Sequence, residues 1–332
     1  MKERSSHFLS PATQTSWVIA PVPRSGLEEW QALLKRSFVA RWGAPYGRPG
    51  FFLDYVSHNP RFRSGQIMGL FVADRLVSTY QVFRRQMVIA GHTYRLEGLG
   101  NIATVPELQK QGCGTALMRW FLRQGCAKRD LAIVYAREGA FYRQLGWQPF
   151  TRGALIVWKV PTGLGMGDML LGRRPMEEGD LSAVGRIYSR FNRAEGVPYI
   201  VRSGAYWRRW IWDWKLKIYR LRAEVVVTPH DRPIGYLFYR VAGGCVIVEE
   251  YAALPSRYDE IYAAVIAMAR QFGAVRGLMV TRAVSSFARY LNEQGIAYKK
   301  TDGPDELGHS YVFNQTLMPW RDRIALWHVD HF

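Results

Sequence analysis

The sequence predicts a mixed α/β fold that occurs twice along the chain. Hydrophobic spacing between residues 16 and 160 gives the element order β-α-α-β-β-β-α-β-α-β, and the same order returns between residues 178 and 300. The nearly all-apolar run Leu131–Ala136 is typical of a strand covered on both faces of a sheet. These observations indicate two tandem α/β domains with mixed sheets of the α+β type.

The first domain is expected at residues 14–160, after a flexible tail at residues 1–13. Its helices are predicted from apolar residues at helical spacing, and they are Leu27–Val39, Arg48–Asn59, Gly114–Lys128 and Ala140–Leu145. The run Ala154–Val160 is expected to supply a closing strand of this first sheet.

The second domain is expected at residues 176–315, followed by a C-terminal segment at 316–332. The stretch before it, residues 161–175, carries four glycines and two prolines and is interpreted as a linker. In the Trp-rich helix predicted at Ser203–Trp214, the tryptophans share one face. We interpret this tryptophan face as a stripe that packs into the core. The alternative is a nucleic-acid-binding surface flanked by arginines.

Composition excludes several classes of protein. The 332 residues are enough for two domains with cores, and no apolar run approaches the ~18–20 residues of a membrane span. The N-terminus has no hydrophobic stretch typical of a secretory signal. The three cysteines and the absence of paired Cys/His spacing predict neither a disulfide framework nor a zinc site. A reducing cytoplasm is the expected compartment, with no metal and no membrane partner.

The formal charge of +18 is unevenly distributed. Residues 1–165 hold 22 Lys and Arg against 9 Asp and Glu, a net charge of +13, whereas residues 166–332 have a net charge of +5. A basic first half suits a cofactor with several phosphates. An anionic partner such as nucleic acid, or an arginine-rich surface with no dedicated partner, remains an alternative.

A glycine loop stands at the centre of the first domain. A short strand containing Ile102, Ala103, Thr104 and Val105 leads through Pro106-Glu107 into the loop, whose residues are Gln109, Lys110, Gln111, Gly112, Cys113 and Gly114, and a helix opens at Thr115. Glycines allow close approach of a ligand to the backbone, and a helix N-terminus attracts phosphate oxygens. A structural turn without a ligand is the alternative.

This spacing is similar to the [Q/R]-x-x-G-x-[G/A] acetyl-coenzyme A signature of the GNAT superfamily of N-acetyltransferases. A second block, residues 141–147 (FYRQLGW), resembles the superfamily's FY-x-x-x-G-[F/W/Y] block. The resemblance implies two tandem GNAT folds and acetyl-CoA held by residues 102–105 and 109–115. The second copy has LPSRYD at residues 254–259 in place of the loop, so it is expected not to bind the cofactor.

Tandem GNAT domains, one of them degenerate, resemble the enhanced-intracellular-survival family of bacterial acetyltransferases. Members usually add a sterol-carrier-like domain, for which residues 314–332 are too few, and they range over several assemblies, homo-oligomers included. Some members acetylate polycationic aminoglycosides in an acidic pocket. The charge of +18 of this chain argues against that class of acceptor.

The resemblance also implies a mechanism of direct attack by an amine on the thioester. Tyr142 matches the tyrosine that protonates the departing thiolate, with a core tyrosine as the alternative. Two groups are candidates for the base that deprotonates the amine. One is the C-terminal carboxylate of Phe332, for which the alternative role is a structural anchor. The other is Glu97, for which the alternative is a side chain that simply faces solvent. Cys113 next to the helix N-terminus either has a lowered pKa or fills space in the loop.

The aromatics Phe51, Phe52 and Tyr55 are expected to line the acceptor pocket, with core packing as the alternative. The predicted function is therefore acetyl-CoA-dependent N-acetyl transfer to a primary amine of an unidentified small-molecule or peptide acceptor. Acetylation of an aminoacyl sugar, as in mycothiol-synthase-like proteins, is a narrower form of it. A non-catalytic acyl-CoA-binding or nucleic-acid-binding protein that retains the fold is the alternative.

Overall fold

The computed structural model describes residues 6–9, 16–42, 44–124, 129–136, 138–150, 154–161, 172–281, 284–302, 308–323 and 330. Of the predicted segments, the N-terminal tail is described at residues 6–9, the linker at 161 and 172–175, and the C-terminal segment at 316–323 and 330.

The first half contains eight strands within this description. They are β1 (Ser6–Leu9), β2 (Ser16–Pro21), β3 (Ile67–Val72), β4 (Arg75–Ile89), β5 (His92–Thr104), β6 (Leu131–Tyr135), β7 (Gln148–Phe150) and β8 (Ala154–Lys159). Its helices are α1 (Leu27–Trp42), α2 (Phe51–Ser57), α3 (Cys113–Arg123) and α4 (Gly139–Arg143), with 3₁₀ turns at Arg24–Gly26, Ala44–Gly47 and Pro106–Leu108.

The second half repeats this alternation. Its strands are β9 (Gly172–Pro175), β10 (Tyr199–Ile200), β11 (Arg222–Val227), β12 (Pro233–Ala242), β13 (Cys245–Ala253), β14 (Arg276–Thr281), β15 (Tyr298–Asp302) and β16 (Gly308–Val312). Its helices are α5 (Leu181–Ala194), a π-helix (Tyr206–Lys215), α6 (Leu216–Ile218), α7 (Tyr258–Gln271) and α8 (Val284–Glu293), with 3₁₀ segments at Glu178–Asp180 and Gln315–Arg323.

Two mixed sheets organise these elements. The nine-stranded sheet has the order β1-β2-β3-β4-β5-β6-β16-β7, and β10 pairs with β4 beside that path. The seven-stranded sheet has the order β15-β8-β14-β13-β12-β11-β9. β5–β6 and β13–β14 are the parallel pairs at the centres of the two sheets, which confirms the predicted mixed α/β class.

Besides β10, which pairs with β4, the halves exchange two strands that lie inside the sheets. β8 lies between β14 and β15 of the second sheet, and β16 lies between β6 and β7 of the first sheet. The expectation that Ala154–Val160 closes the first sheet is therefore wrong. Ile156 and Trp158 are buried in the second sheet, where Trp158 lies against Gly277. An apolar alternation fixes which face of a strand is buried, but not which sheet receives it.

The core runs through both halves. One hydrophobic cluster extends from α1 and α3 to the π-helix and α7, and a smaller cluster covers the other face of the first sheet around Leu96, Leu131 and Leu317. The tryptophans of the π-helix, Trp207, Trp210 and Trp214, belong to the main cluster and are nearly fully buried. This confirms the core-facing stripe rather than a nucleic-acid surface. Across the described ranges, no helix combines the length and apolar character of a membrane span.

Candidate active site

A cleft opens where two parallel strands part. β5 and β6 are paired from Leu96 opposite Leu131 to Leu99 opposite Val134, but β5 continues to Thr104. In the part of the chain described, the β6-facing edge of residues 100–104 has no strand partner. The carboxyl ends of parallel strands are where α/β sheets commonly bind ligands, because backbone groups are free there.

A bulge in β5 marks the same place. Asn101 has a φ of 51°, and the pairing of β5 with β4 shifts register between Thr79 and Gln81. Nδ2 of Asn101 donates a hydrogen bond of 2.7 Å to Oε1 of Gln81. A bulge bends the strand and changes the direction of the backbone groups beyond it, so it helps to open the cleft.

The glycine loop lies at the end of this strand. Lys110 and Gly112 have φ values of 61° and 89°, and Gly112 is the N-cap of α3 without a side-chain cap. The first N–H groups of α3 therefore keep their hydrogen-bonding capacity, and they lie at the positive end of the helix dipole. Lys110 is exposed and adds a positive charge.

Two glutamine side chains brace the loop. Nε2 of Gln109 donates to the carbonyl of Thr104 at 3.2 Å, and Nε2 of Gln111 donates to the carbonyl of Glu107 at 2.9 Å. The predicted loop residues Gln109 and Gln111 thus hold the shape of the loop through their side chains.

Gly114 brings loop, strand and α4 together. A Cβ on Gly114 would lie 3.6 Å from Oγ1 of Thr104 and 3.7 Å from Cζ of Phe141. Thr115 follows it in the first turn of α3 and is half-buried. The two sequence blocks, far apart along the chain, therefore meet at one site.

The remaining residues predicted to bind the cofactor differ in burial and in whether their backbone groups are already hydrogen-bonded. Ile102 is half-buried and Ala103 is buried, and the carbonyl of Ala103 accepts a bond from Ser78. The N–H of Val105 is already donated to the carbonyl of Val77 at 2.9 Å. Cys113 is buried, and burial raises the pKa of its thiol, which argues for the space-filling alternative.

Tyr142 lies on α4 next to the cleft. Its side chain is buried, and its ring contacts Phe141, Trp147 and His309 at centroid distances of 5.0, 5.9 and 5.6 Å. Burial, and then the charge of Glu138, raises the pKa of Tyr142 above its ordinary value. The phenol is therefore protonated at neutral pH, and Tyr142 belongs to the main hydrophobic cluster, as the core-tyrosine alternative expects.

Of the two residues predicted as the general base, the structure describes only Glu97. Glu97 is nearly buried and lies between Arg129 at 2.9 Å and Arg84 at 3.6 Å. Glu97 is therefore engaged by two arginines and is not the solvent-facing residue of the alternative. Phe332 lies outside the described residues.

The aromatics Phe51, Phe52 and Tyr55 form a packed row on α2. All three are buried, and the Phe51 ring lies 5.1 Å from that of Phe52 and 5.8 Å from that of Tyr55. Phe52 contacts Trp30 of the core, whereas Tyr55 contacts Trp214 of the π-helix at 4.5 Å. Tyr55 therefore sits where the two halves meet.

A buried ion network lies at that junction, and the sequence offered no signal for it. Arg202 donates to both oxygens of Glu250 at 2.6 and 2.8 Å and to both oxygens of Asp330 at 3.0 and 2.7 Å. Tyr206 and Tyr236 donate to Asp330 and Glu250. Burial by itself lowers the pKa of Arg202, but the two carboxylates raise it well above its ordinary value, so the guanidinium stays charged.

Lys215, at the end of the π-helix, is a second buried group that the sequence did not reveal. Its Nζ lies 4.5 Å from the ring centroid of Trp214 and about 5 Å from those of Tyr55 and Trp210. Burial, and then Arg85, lowers the pKa of Lys215 from 10.5 to about 7. Its charge consequently changes near neutral pH.

The second half lacks the loop geometry. α7 begins at Tyr258 with Arg257 as its N-cap at a φ of −127°, and Nη1 of Arg257 donates to Glu260 at 2.6 Å. No positive-φ glycine precedes α7, and a carboxylate occupies its first turn. The predicted asymmetry between the halves is thus visible in the backbone. Among the described residues, no group of three or more His, Cys, Asp or Glu could hold a metal ion.

Comparisons with known proteins agree with this geometry. The family described as acetyltransferase (GNAT) domain matches residues 19–150, which contain the cleft, the glycine loop and α4. A search of curated protein sequences gave no match.

Several solved structures share the fold. A probable N-acyltransferase of Enterococcus faecalis superposes with a TM-score of 0.67 at 16% identity, covering 95% of this chain and 73% of the other. Eis1 of Mycobacterium abscessus gives 0.61 at 16% identity, covering 90% and 73%. The N-myristoyltransferase of Saccharomyces cerevisiae with bound myristoyl-CoA gives 0.56 at 13% identity, covering 95% and 88%.

At these identities the solved structures establish the fold alone. Residues 19–150 therefore match the acetyltransferase (GNAT) domain family, and the two mixed sheets have the fold of GNAT proteins, consistent with two such folds in tandem.

Proposed function

We propose that this protein is an acyl-CoA-dependent N-acyltransferase that transfers acetyl from acetyl-CoA directly to a primary amine. The observation that carries the proposal is the meeting of the cleft, the uncapped glycine loop and Phe141 of α4 at Gly114. The basic first half supports an anionic cofactor.

The residues present fit coenzyme A. A Cβ at Gly114 would fill the space between loop, strand and α4, and the first-turn amides of α3 suit a pyrophosphate. When bound, acetyl-CoA supplies an activated thioester. Residues 100–104 would bind the pantetheine and orient the carbonyl through their backbone, and residues 109–115 would hold the phosphates.

The proton transfers fall to side chains around the cleft. Tyr142, protonated at neutral pH, is the proposed acid for the departing thiolate. The base stays a prediction between Phe332 and Glu97, and both carboxylate oxygens of Glu97 lie against arginines. On the acceptor side, Tyr55 is the best placed of the three predicted aromatics because it lies at the junction of the halves.

Isothermal titration calorimetry with coenzyme A tests the cofactor site. We expect the Gly112→Val/Gly114→Val variant to lose at least tenfold in affinity, because valine at a φ of 89° is strained and a side chain at 114 would occupy the cradle. The matched control is Gly91→Val, which places the same strain in a hairpin turn at a φ of 81° with no neighbour within 4 Å. Equal affinity in the double variant and the control would refute the proposed site.

Turnover separates catalysis from binding. We expect release of free coenzyme A from acetyl-CoA with at least one member of a panel of amines, amino acids, peptides and polyamines. A parallel series with octanoyl- and myristoyl-CoA determines the acyl preference. Binding of coenzyme A without turnover on the whole panel would favour the non-catalytic acyl-CoA-binding alternative.

A further inference from the structure

A second cavity lies in the half that lacks the glycine loop. It has a volume of about 480 Å³ and opens between α5 and the first turn of the π-helix. This volume lies within the range of small-molecule sites in proteins. Its polar lining comes from Ser182, Arg186, Ser189 and Arg190 of α5, with Arg202 and Trp207 at its inner side.

The mouth of the cavity is positively charged. Arg186 and Arg190 are exposed and lie one helical turn apart, and Nη1 of Arg186 donates to Oγ of Ser182 at 2.8 Å. Within the described ranges neither guanidinium has a carboxylate partner, and no acidic side chain lines the cavity. Like charges at this spacing destabilise a helix, so helix stability does not explain the pair.

The wall holds a donor without a partner. Trp207 is only 2% exposed, and its Nε1 has no hydrogen-bond partner. A Cβ on Gly185 would lie 3.0 Å from Nε1, so only a glycine lets the indole N–H lie against α5 at this wall. Among the described tryptophans with an unpaired indole N–H, Trp207 is the one that lines this cavity, so an oxygen of a ligand there would pair it.

The floor of the cavity is Arg202, which is held by the ion network. Both carboxylates of the ion network hold Arg202, whose guanidinium lies 4.0 Å from the ring centroid of Tyr188 and 4.7 Å from that of Trp207. Arg202 thus fixes the indole and has its own charge compensated. Uncompensated charge at the cavity comes from Arg186 and Arg190.

We infer that this cavity is a separate binding site for a small organic oxyanion, a carboxylate or a phosphate carried on a compact carbon skeleton. The two guanidiniums at the mouth bind the oxyanion. The indole N–H of Trp207 donates a hydrogen bond to one of its oxygens, and the carbon skeleton packs beside the tryptophan ring. The site does not depend on the proposed acyl transfer.

Calorimetry on the full chain with phenyl phosphate and, separately, benzoate tests this inference and tells the two oxyanions apart. We expect binding of at least one probe at millimolar concentration or below. The Arg186→Gln/Arg190→Gln variant should weaken it at least tenfold. Trp207→Phe, which keeps a ring but removes the N–H, should weaken it severalfold, with circular dichroism verifying the fold.

The matched control is Arg193→Gln, an exposed arginine of the same helix outside the cavity lining. Its affinity should equal that of the wild type. Absence of binding for both probes, or equal weakening in the double variant and the control, would overturn the inference. So would loss of binding in Gly112→Val/Gly114→Val, because the probe would then occupy the glycine loop.

Discussion

Replacing Asp330 by alanine removes one of the two carboxylates that compensate the buried charge of Arg202. The side chains of Arg202, Glu250 and Asp330 are 0%, 0% and 1% exposed, so water cannot take over as a partner. Asp330 also stabilises the charge of Arg85, which lies nearby and is itself buried. After the substitution Arg202 keeps only the carboxylate of Glu250, and Arg85 loses one stabilising negative charge.

The expected loss follows from that imbalance. Breaking a buried ion pair by removing one partner typically costs about 3–5 kcal/mol of unfolding free energy, because the remaining charge stays desolvated. The loss of the hydrogen bond from Tyr206 is part of this cost. Asp330→Asn keeps the shape but removes the charge, so a similar loss in both variants would assign the effect to electrostatics.

Urea unfolding followed by both tryptophan fluorescence and circular dichroism measures the effect, and coincident transitions justify a two-state free energy. The control is Glu293→Ala, which breaks an exposed ion pair with Arg289 at 3.7 Å and should cost less than ~1 kcal/mol. A loss for Asp330→Ala no larger than that of the control would refute the view that Asp330 docks in the interior.

Three further outcomes are expected. Tyr142→Phe should lower turnover by ~10²-fold or more while coenzyme A affinity by calorimetry changes less than about twofold, since only the proton donor is lost; an unchanged rate would remove Tyr142 from the mechanism. Lys215→Met should raise the unfolding free energy by roughly 2–5 kcal/mol at pH 7. The pKa of Lys215 is about 7 in the folded protein and 10.5 ordinarily, so between these pH values the unfolded state binds the extra proton. Wild-type stability therefore rises with pH across this window. The gain in unfolding free energy from Lys215→Met should accordingly shrink toward pH 10.5, as measured by urea titrations. Gly277→Ala should lower the unfolding free energy by about 1–3 kcal/mol or more, because a Cβ would lie 1.9 Å from Trp158 of the exchanged strand. The control Gly179→Ala, where a Cβ has no neighbour within 4 Å, should be nearly neutral in the same urea assay.

Much of the candidate site could be predicted because its signals are local. Gly112 has a positive φ, which favours glycine, and Gly114 lies two residues further at the start of the helix, so both are read from local spacing beside a strand and a helix. The Trp stripe of the π-helix was predicted as a core face for the same reason, since helical periodicity reports burial.

The ion network could not be predicted in this way. Arg202, Glu250 and Asp330 are separated by long stretches of chain, and each residue type alone is normally a surface group. Likewise, nothing in the spacing around Lys215 distinguishes a solvated lysine from one enclosed by aromatic rings.

The sequence by itself determined the alternation of strands and helices, the position of the glycine loop and the asymmetry between the halves, because period, turn chemistry and glycine requirements act over a few residues. Only the tertiary structure decided that β8 and β16 change places between the sheets, that Phe141 meets Gly114, and that Asp330 pairs with Arg202. Those outcomes depend on which distant surfaces pack together, and a linear pattern of apolar and polar residues does not specify that choice.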